Sequence, residues 1–386
     1  RVSGLSAHNP ARATAVAPAG MGGGDRQPHE EEVNQAPQKT APKEDPQVVE
    51  GIEKLLLMIP VDIEKLRDLA WLPGGYQTTA VRTKAWCKLL GVDRHALSDY
   101  RESLGRDHPM TDQIRRDVER SITHFSHVRK WKTRRVLAKR EKLSDVINAM
   151  VRKYDGELNY YQGYHDVVSV MLLVTGDDTL AYALSERVSH YFFRDSMREN
   201  FHLLSALLHL VPPVIKHFDK DLGEFIAKSQ VEPYFCMAWV LTWFSHDLYE
   251  LQTAARLFDA LIGAHPMQVL YVSAAAVIDA RERVLECDCE FAAVHNCLAG
   301  VPKVVTDWDA VLRDARAMFH KFPPRQLLRR APREAREYLE EGGATALQFP
   351  PPWYTGTSLP DWILLERRRT REGKRKGSKA ARQWRR

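Results

Sequence analysis

Residues 143–174 constrain the fold more than any other stretch, because two helical apolar patterns meet there across a short polar and aromatic joint. On the N-terminal side Leu143, Val146, Ile147, Met150, Val151 and Tyr154 recur at offsets of three and four, the spacing of one buried helix face. On the C-terminal side residues 167–174 are almost unbroken in apolar side chains. That run suits a buried helix and falls well short of the ~20 residues that cross a bilayer. Asp155 and Gly156 end the first helix, and the joint then reads Asn-Tyr-Tyr-Gln-Gly-Tyr-His-Asp over residues 159–166. The Gln162 amide offers both donors and an acceptor, so at a loop–helix junction it can orient a water or meet a partner's backbone.

Helical patterns continue on both sides of this joint. Ile52, Leu55, Leu56 and Ile59 share one face, Pro60 stops that helix, and Asp62 is placed to cap the next. After the break at Pro73-Gly74-Gly75, a helix starting near Thr79 carries Arg82, Trp86, Leu89 and Leu90 and ends at Gly91. Beyond the joint the breaks predict helices over 178–193, 201–210, 212–227, 234–249, 251–262, 266–283, 290–299 and 307–320. Strand-type alternation is scarce and no repeat of 20–50 residues is visible. The expected fold is therefore all-α. A 44% apolar share over 386 residues is ample for a sizeable core.

The ends differ from this body. Residues 1–48 are rich in Ala, Pro, Gly and Gln without period and are expected to be disordered. Residues 49–70 form a helical lead-in, 71–325 the main domain, and 326–386 a proline-containing, polybasic tail. Within that tail, residues 366–386 hold eleven Lys and Arg against two Glu, a net +9, so with +6 overall the rest of the chain is at −3. An apolar cluster of Trp353, Tyr354, Leu359, Trp362, Ile363 and Leu365 precedes the basic run. The first residue is Arg1 rather than Met, and one or both natural ends are expected to lie beyond these residues. Five cysteines lack any framework or paired spacing, so they read as reduced core thiols and no metal site is expected. Residues 126–142 carry eight Lys and Arg and one Glu, the pattern of a solvated face that can also steer an acidic partner.

A second segment pairs with the joint. Wound as a helix, residues 114–125 place Ile114, Val118, Ile122 and Phe125 on one apolar stripe. Arg120 then points away from it, with Asp117 one turn behind on an adjoining face. An aspartate three residues back can hold a guanidinium in a fixed pose while leaving the fork available. Spacing alone does not choose among Arg115, Arg116 and Arg120. Taken singly, Arg120 is an ordinary solvated helix residue, Gln162 a loop residue, and Tyr161, Tyr164, Trp86, Trp239 and Trp243 are core aromatics. His165 and Asp166, adjacent at a helix start, are expected not to face each other, with Asp166 serving as a cap or in an ion pair. His190, His246 and His295 read as structural.

Ile-x-x-Asp-x-x-Arg (Ile114, Asp117, Arg120) followed by Tyr-x-Gln-Gly (Tyr160, Gln162, Gly163) resembles the dual-finger signature of TBC-domain Rab GTPase-activating proteins. Arg82-x-x-x-Trp86 is similar to that family's Arg-x-x-x-Trp motif, and the order of all three agrees. The resemblance spans about residues 71–322 and, through residues 239–244, His265-Pro266 and Cys287-Asp288-Cys289, points to the endoplasmic-reticulum-anchored branch. Thr83 stands where a glycine is usual, and Tyr164-His165 where many members have Met-Asn. Neither departure touches the finger positions.

The resemblance implies a two-lobed helical domain and catalysis delivered in trans. Hydrolysis of GTP spreads charge over the transferring phosphoryl oxygens, and an arginine supplied by a partner contributes ~10³–10⁵ in rate. By the resemblance Arg120 is the arginine finger and Gln162 the glutamine finger that positions the attacking water. Asp117 braces Arg120, Tyr160 and Gly163 shape the loop, and Arg82 and Trp86 belong to a structural motif. No Gly-x-x-x-x-Gly-Lys-Ser/Thr occurs, so GTP and Mg arrive on the partner, a Rab-family GTPase in its GTP form, and no cofactor belongs to this chain. The competing reading is a catalytically silent scaffold, which would have no chemical need for either finger. The implied setting is the cytoplasmic face of endoplasmic reticulum or Golgi membranes, in vesicle trafficking. The basic tail, residues 366–386, suits either an anionic membrane surface or a nuclear-import signal through residues 374–376. A nucleic-acid arm is the weakest reading, because only Trp384 interleaves the charges.

Overall fold

The computed structural model describes residues 44–105, 108–344 and 347, and every regular element among the described residues is helical. The expected disordered segment 1–48 lies outside the described residues except at its end, where residues 46–48 already belong to the first helix. Residues 348–386, with the apolar cluster and the polybasic run, lie outside them as well.

Asp62 and Gly91 bound their helices where the sequence places them, but the first helix stops at Leu56, ahead of Pro60, and Ile59 is exposed rather than on its buried face. Helix α1 (Pro46–Leu56) is capped by the Asp45 carboxylate, which accepts the Gln47 amide at 2.9 Å, and it buries Ile52, Leu55 and Leu56. Helix α2 (Ile63–Ala70) is capped by Asp62 through the Lys65 amide at 3.0 Å. Helix α3 (Thr79–Leu90) ends at Gly91 in the left-handed region with φ 64°. Helices α4 (Thr111–Glu119), α5 (Thr133–Lys153), α6 (Tyr164–Thr175) and α7 (Asp178–Val188) follow, the last running into a π-turn over Ser189–Phe193.

The remaining elements are α8 (His202–Leu208), α9 (Val211–Phe218), α10 (Lys220–Lys228), α11 (Met237–Thr242), α12 (Leu251–Ile262), α13 (Gln268–Asp279) and α14 (Arg281–Leu285). They are followed by α15 (Phe291–Ala299), α16 (Val301–Val304), α17 (Trp308–Lys321), α18 (Pro324–Arg330) and α19 (Arg333–Glu341). Packing groups α4, α6 and α7 around α5, and groups α9, α11 and α17 around α13. Helix α12 touches α3, α6 and α17. One contiguous apolar cluster runs through all of this, with Trp86, Trp239, Tyr164 and Tyr271 among its largest fully buried side chains.

Four further expectations need correction. The helix carrying Ile114 and Val118 stops at Glu119, and Ile122 adopts φ 57°. Ile122 and Phe125 are still fully buried, but from the turn that follows rather than from a helix face. The helix expected over 212–227 breaks at Asp219, whose extended backbone lets its side chain cap the next helix at the Leu222 amide, 3.0 Å away. The helix expected over 234–249 shrinks to α11, because Trp243 and Phe244 both turn left-handed at φ 48° and 66°. Finally, helical packing continues past residue 325. Leu327, Ala335 and Leu339 are buried, and α19 lies against α8. Their stripe is thin and set among charges, which hides it from a periodicity count.

Candidate functional site

Arg82 and Trp86 lie one turn apart on α3 and converge on one buried carboxylate. Asp259 of α12 accepts Arg82 Nε at 2.8 Å, Trp86 Nε1 at 2.8 Å and the Tyr76 amide at 3.1 Å. Asp259 is itself fully buried. This motif is therefore a fastener between α3 and α12 and presents nothing to solvent. The sequence reading missed Asp259, which nothing local marks.

The other two motifs meet at a second buried carboxylate. Asp117, in the last turn of α4, is fully buried. Its Oδ1 accepts Arg120 Nη2 at 2.5 Å, while its Oδ2 accepts Gln113 Nε2 at 3.0 Å and the Tyr160 hydroxyl at 2.8 Å. Arg120 is the residue just after α4, and its side chain is 59% exposed. Asp117 is its only hydrogen-bond partner among the described residues, so most of the fork faces outward. A carboxylate held by three donors is well compensated for its burial and fixes the guanidinium by one edge.

Gln162 is exposed while its neighbours are not. Tyr160 and Tyr161 turn inward, and the Tyr161 hydroxyl donates to the Leu241 carbonyl at 2.7 Å. The Asn159 amide donates to the Met197 carbonyl at 2.6 Å. Gly163 has φ 105°, and a Cβ there would stand 3.2 Å from Thr242 Cγ2. Two buried rings, an anchored amide and a glycine-only conformation thus leave the Gln162 amide pointing out at the start of α6.

Protonation follows from who can donate. Burial, then the hydrogen bond to Asp117, push the Tyr160 phenol far above its ordinary pKa, so it stays a donor. The phenol donates to Asp117 Oδ2, and its oxygen lies 3.1 Å from His165 Nδ1. Burial also pushes His165 below the usual imidazole value. His165 Nε2 comes within 3.4 Å of Asp166 Oδ1, which corrects the expectation that these neighbours do not face each other. Asp166 is in the ion pair expected for it, and its partner is His246 at 2.8 Å.

Tyr161, Tyr164, Trp86, Trp239 and Trp243 are core, as expected. The basic run is only partly a solvated face: Arg140 sends Nε and Nη2 back to the Ser121 carbonyl at 3.3 and 3.0 Å, on the residue after Arg120.

Residues 79–285 match the Rab-GTPase-TBC domain, and mouse TBC1 domain family member 20 is 32% identical over 288 residues, 73% of this chain and 69% of that protein. The chain belongs to the Rab-GTPase-TBC domain family. This TBC protein is also 30% identical over 233 residues to the GTPase-activating protein gyp10 of Schizosaccharomyces pombe, across 60% of the chain and 61% of gyp10. Its fold is that of the Ypt/Rab-GAP domain of Gyp1p, with a TM-score of 0.56 at 15% identity over 72% of this chain and 98% of that domain. Membership makes it a Rab GTPase activator of all-α architecture, and the similarity to family member 20 accords with the branch that the sequence motifs suggested. No helix among the described residues is long and apolar enough to cross a membrane.

Proposed function

We propose that this TBC protein accelerates GTP hydrolysis on a Rab GTPase in trans, with Arg120 neutralising charge on the transferring phosphoryl group and Gln162 orienting the attacking water. The observation that carries this reading is the Asp117 carboxylate, bonded on one side to Arg120 and on the other to Tyr160, two residues before Gln162. That link ties two exposed polar side chains from distant parts of the chain to one buried brace. Pre-set donors aimed at developing charge are what phosphoryl transfer needs, since positioning and electrostatics do most of its catalysis.

The partner is taken to be a Rab in its GTP form, carrying its own GTP and Mg. The TBC protein brings no nucleotide site and no cofactor to this reaction, and nucleic acid has no part in it. We place the activity in vesicle trafficking at endoplasmic reticulum or Golgi membranes, with residues 366–386 held to the anionic surface by their +9 charge.

The test is phosphate release from a panel of purified GTP-loaded Rabs with wild type, Arg120→Ala and Gln162→Ala. At least one Rab is expected to respond to wild type, with both variants losing most of the effect. Full activity of both variants on a responding Rab would overturn the finger assignment.

A further inference from the structure

One turn lies behind both finger-bearing loops. Residues 241–249 take in the end of α11 and the turn after it, and the left-handed pair Trp243 and Phe244 fixes their path. Against the glutamine loop, the Leu241 carbonyl accepts the Tyr161 hydroxyl at 2.7 Å and Thr242 Cγ2 closes on Gly163. Against the segment after Arg120, His124 Nε2 donates to the Ser245 carbonyl at 3.1 Å and the Ser126 amide to the Tyr249 carbonyl at 2.8 Å. One more contact completes the set. His246 Nδ1 donates to Asp166 Oδ2 at 2.8 Å, joining the turn to the first turn of α6 just past Gln162.

From Arg120 a line of polar side chains runs through Asp117, Tyr160, His165 and Asp166 to His246, hydrogen-bonded at each step except the 3.4 Å approach of His165 to Asp166. Every intermediate side chain in that run is buried, whereas His246 is 60% exposed. An exposed imidazole is ordinarily mobile. This one is held by a buried carboxylate whose other neighbours are two further imidazoles.

We infer that His246 is a positioning residue for Gln162: by clasping Asp166 it locks the 241–249 turn against the glutamine loop and the segment after Arg120. This rests on the finger assignment proposed above. His246 makes no contact with the reacting atoms in this scheme. It acts through Asp166, by holding the start of α6 and hence the direction in which the Gln162 amide emerges.

The clasp has a pH sense. The Asp166 hydrogen bond, working against burial, raises His246 above the ordinary imidazole value of 6.5. Burial pushes Asp166 up, but the His246 hydrogen bond and the imidazoles of His165 and His124 outweigh it and hold the carboxyl below 3.8. Asp247 and Lys303 also face His246, with opposite effects. Both partners are therefore charged between the low-pH titration of Asp166 and the raised titration of His246. The clasp weakens as pH rises through the latter.

Two measurements test this together. In single-turnover activation of a responding Rab, His246→Ala should lower the maximal rate by roughly ten- to a hundredfold, the scale of an ångström-sized misplacement, with KM nearly unchanged. His246→Asn, whose amide can still donate to Asp166, should recover most of that rate and lose the high-pH limb of the wild-type profile. Hydrogen exchange over residues 159–166 should be faster in His246→Ala and close to wild type in His246→Asn. That readout needs no Rab, so it decides the clasp even if wild type activates nothing, an outcome that would count against the finger reading instead. An unchanged maximal rate with unchanged exchange would overturn the proposal. So would a rise in KM alone, which would make His246 a simple contact with the GTPase.

Discussion

Asp117 and Tyr160 are bonded at 2.8 Å across 43 residues of chain, the carboxylate fully buried and the phenol nearly so. This one bond sets the end of α4 beside the loop that precedes α6. Everything exposed around it is then fixed by what lies beneath: Arg120 by the free edge of Asp117, and Gln162 by the two inward-turned tyrosines.

Arg120→Ala should cut Rab activation by ~10³ or more, about 4 kcal/mol of barrier. Because the side chain is 59% exposed, the fold should survive. Asp117 keeps Gln113 and Tyr160 as donors but loses its cation, so a loss of about 1–3 kcal/mol is expected. Arg120→Lys should be nearly as inactive, since an ammonium cannot bond to Asp117 through one edge and still present a planar fork. Phosphate release under single-turnover conditions checks both, and near-normal activity in either variant would exclude Arg120 as the finger.

Tyr160→Phe separates bracing from chemistry. It removes one of three donors from a buried carboxylate while preserving the ring, which should cost about 1.5–3 kcal/mol in denaturant unfolding. Activation should fall by roughly ten- to a hundredfold, less than for Arg120→Ala, because both fingers remain but lose their common support. Unfolding midpoints and activation rates, measured on one preparation, give the comparison. An unaltered midpoint would show that the bond adds nothing to the fold.

Asp259→Ala is expected to behave in the opposite way. It strands the Arg82 guanidinium and the Trp86 indole inside the protein, and breaking a buried pair from one side costs about 3–5 kcal/mol. Stability should drop steeply, whereas molecules that remain folded at low temperature should activate the Rab nearly as well as wild type. Thermal melting set against activity per folded molecule decides this, and a selective loss of activity would move Arg82 and Trp86 out of the structural class.

What could be read from the sequence divides along physical lines. The caps at Asp62 and Gly91 and the stripe on α5 are local, and all are found where their residues predict. Arg120, Asp117, Tyr160 and Gln162 were legible only as motifs. Spacing left three arginines open, and the structure now shows Arg120 alone bonded to Asp117, whereas Arg115 reaches Asp112 and Glu119 and Arg116 reaches Gln113. Asp259 was out of reach because its partners lie 173 to 183 residues away. The turn at Trp243 and Phe244 was hidden for another reason. Their run reads as helix, and only tertiary packing overrides it: the Trp243 ring meets Phe192, Phe193 and Phe258, while Phe244 stacks on Trp239 and meets Trp308. Burying both rings among other aromatics offsets the two left-handed backbones.

The last prediction concerns residues 366–386. Their net +9 against −3 for the rest means that a chain ending at Leu365 reverses the sign of the whole protein. Activation of a Rab in solution should be nearly unchanged, because the bonds that hold Arg120, Asp117 and the glutamine loop come from residues 113–241. Binding to anionic vesicles should fall sharply in the shortened chain. In the full chain it should already weaken as salt approaches ~1 M, where the Debye length is only ~3 Å, while neutral vesicles should retain little of either protein. Co-sedimentation of the full and shortened chains with vesicles of both kinds makes the measurement. Equal retention of the two on anionic vesicles would remove the membrane from this reading and leave the basic run as an import signal or a solvated end.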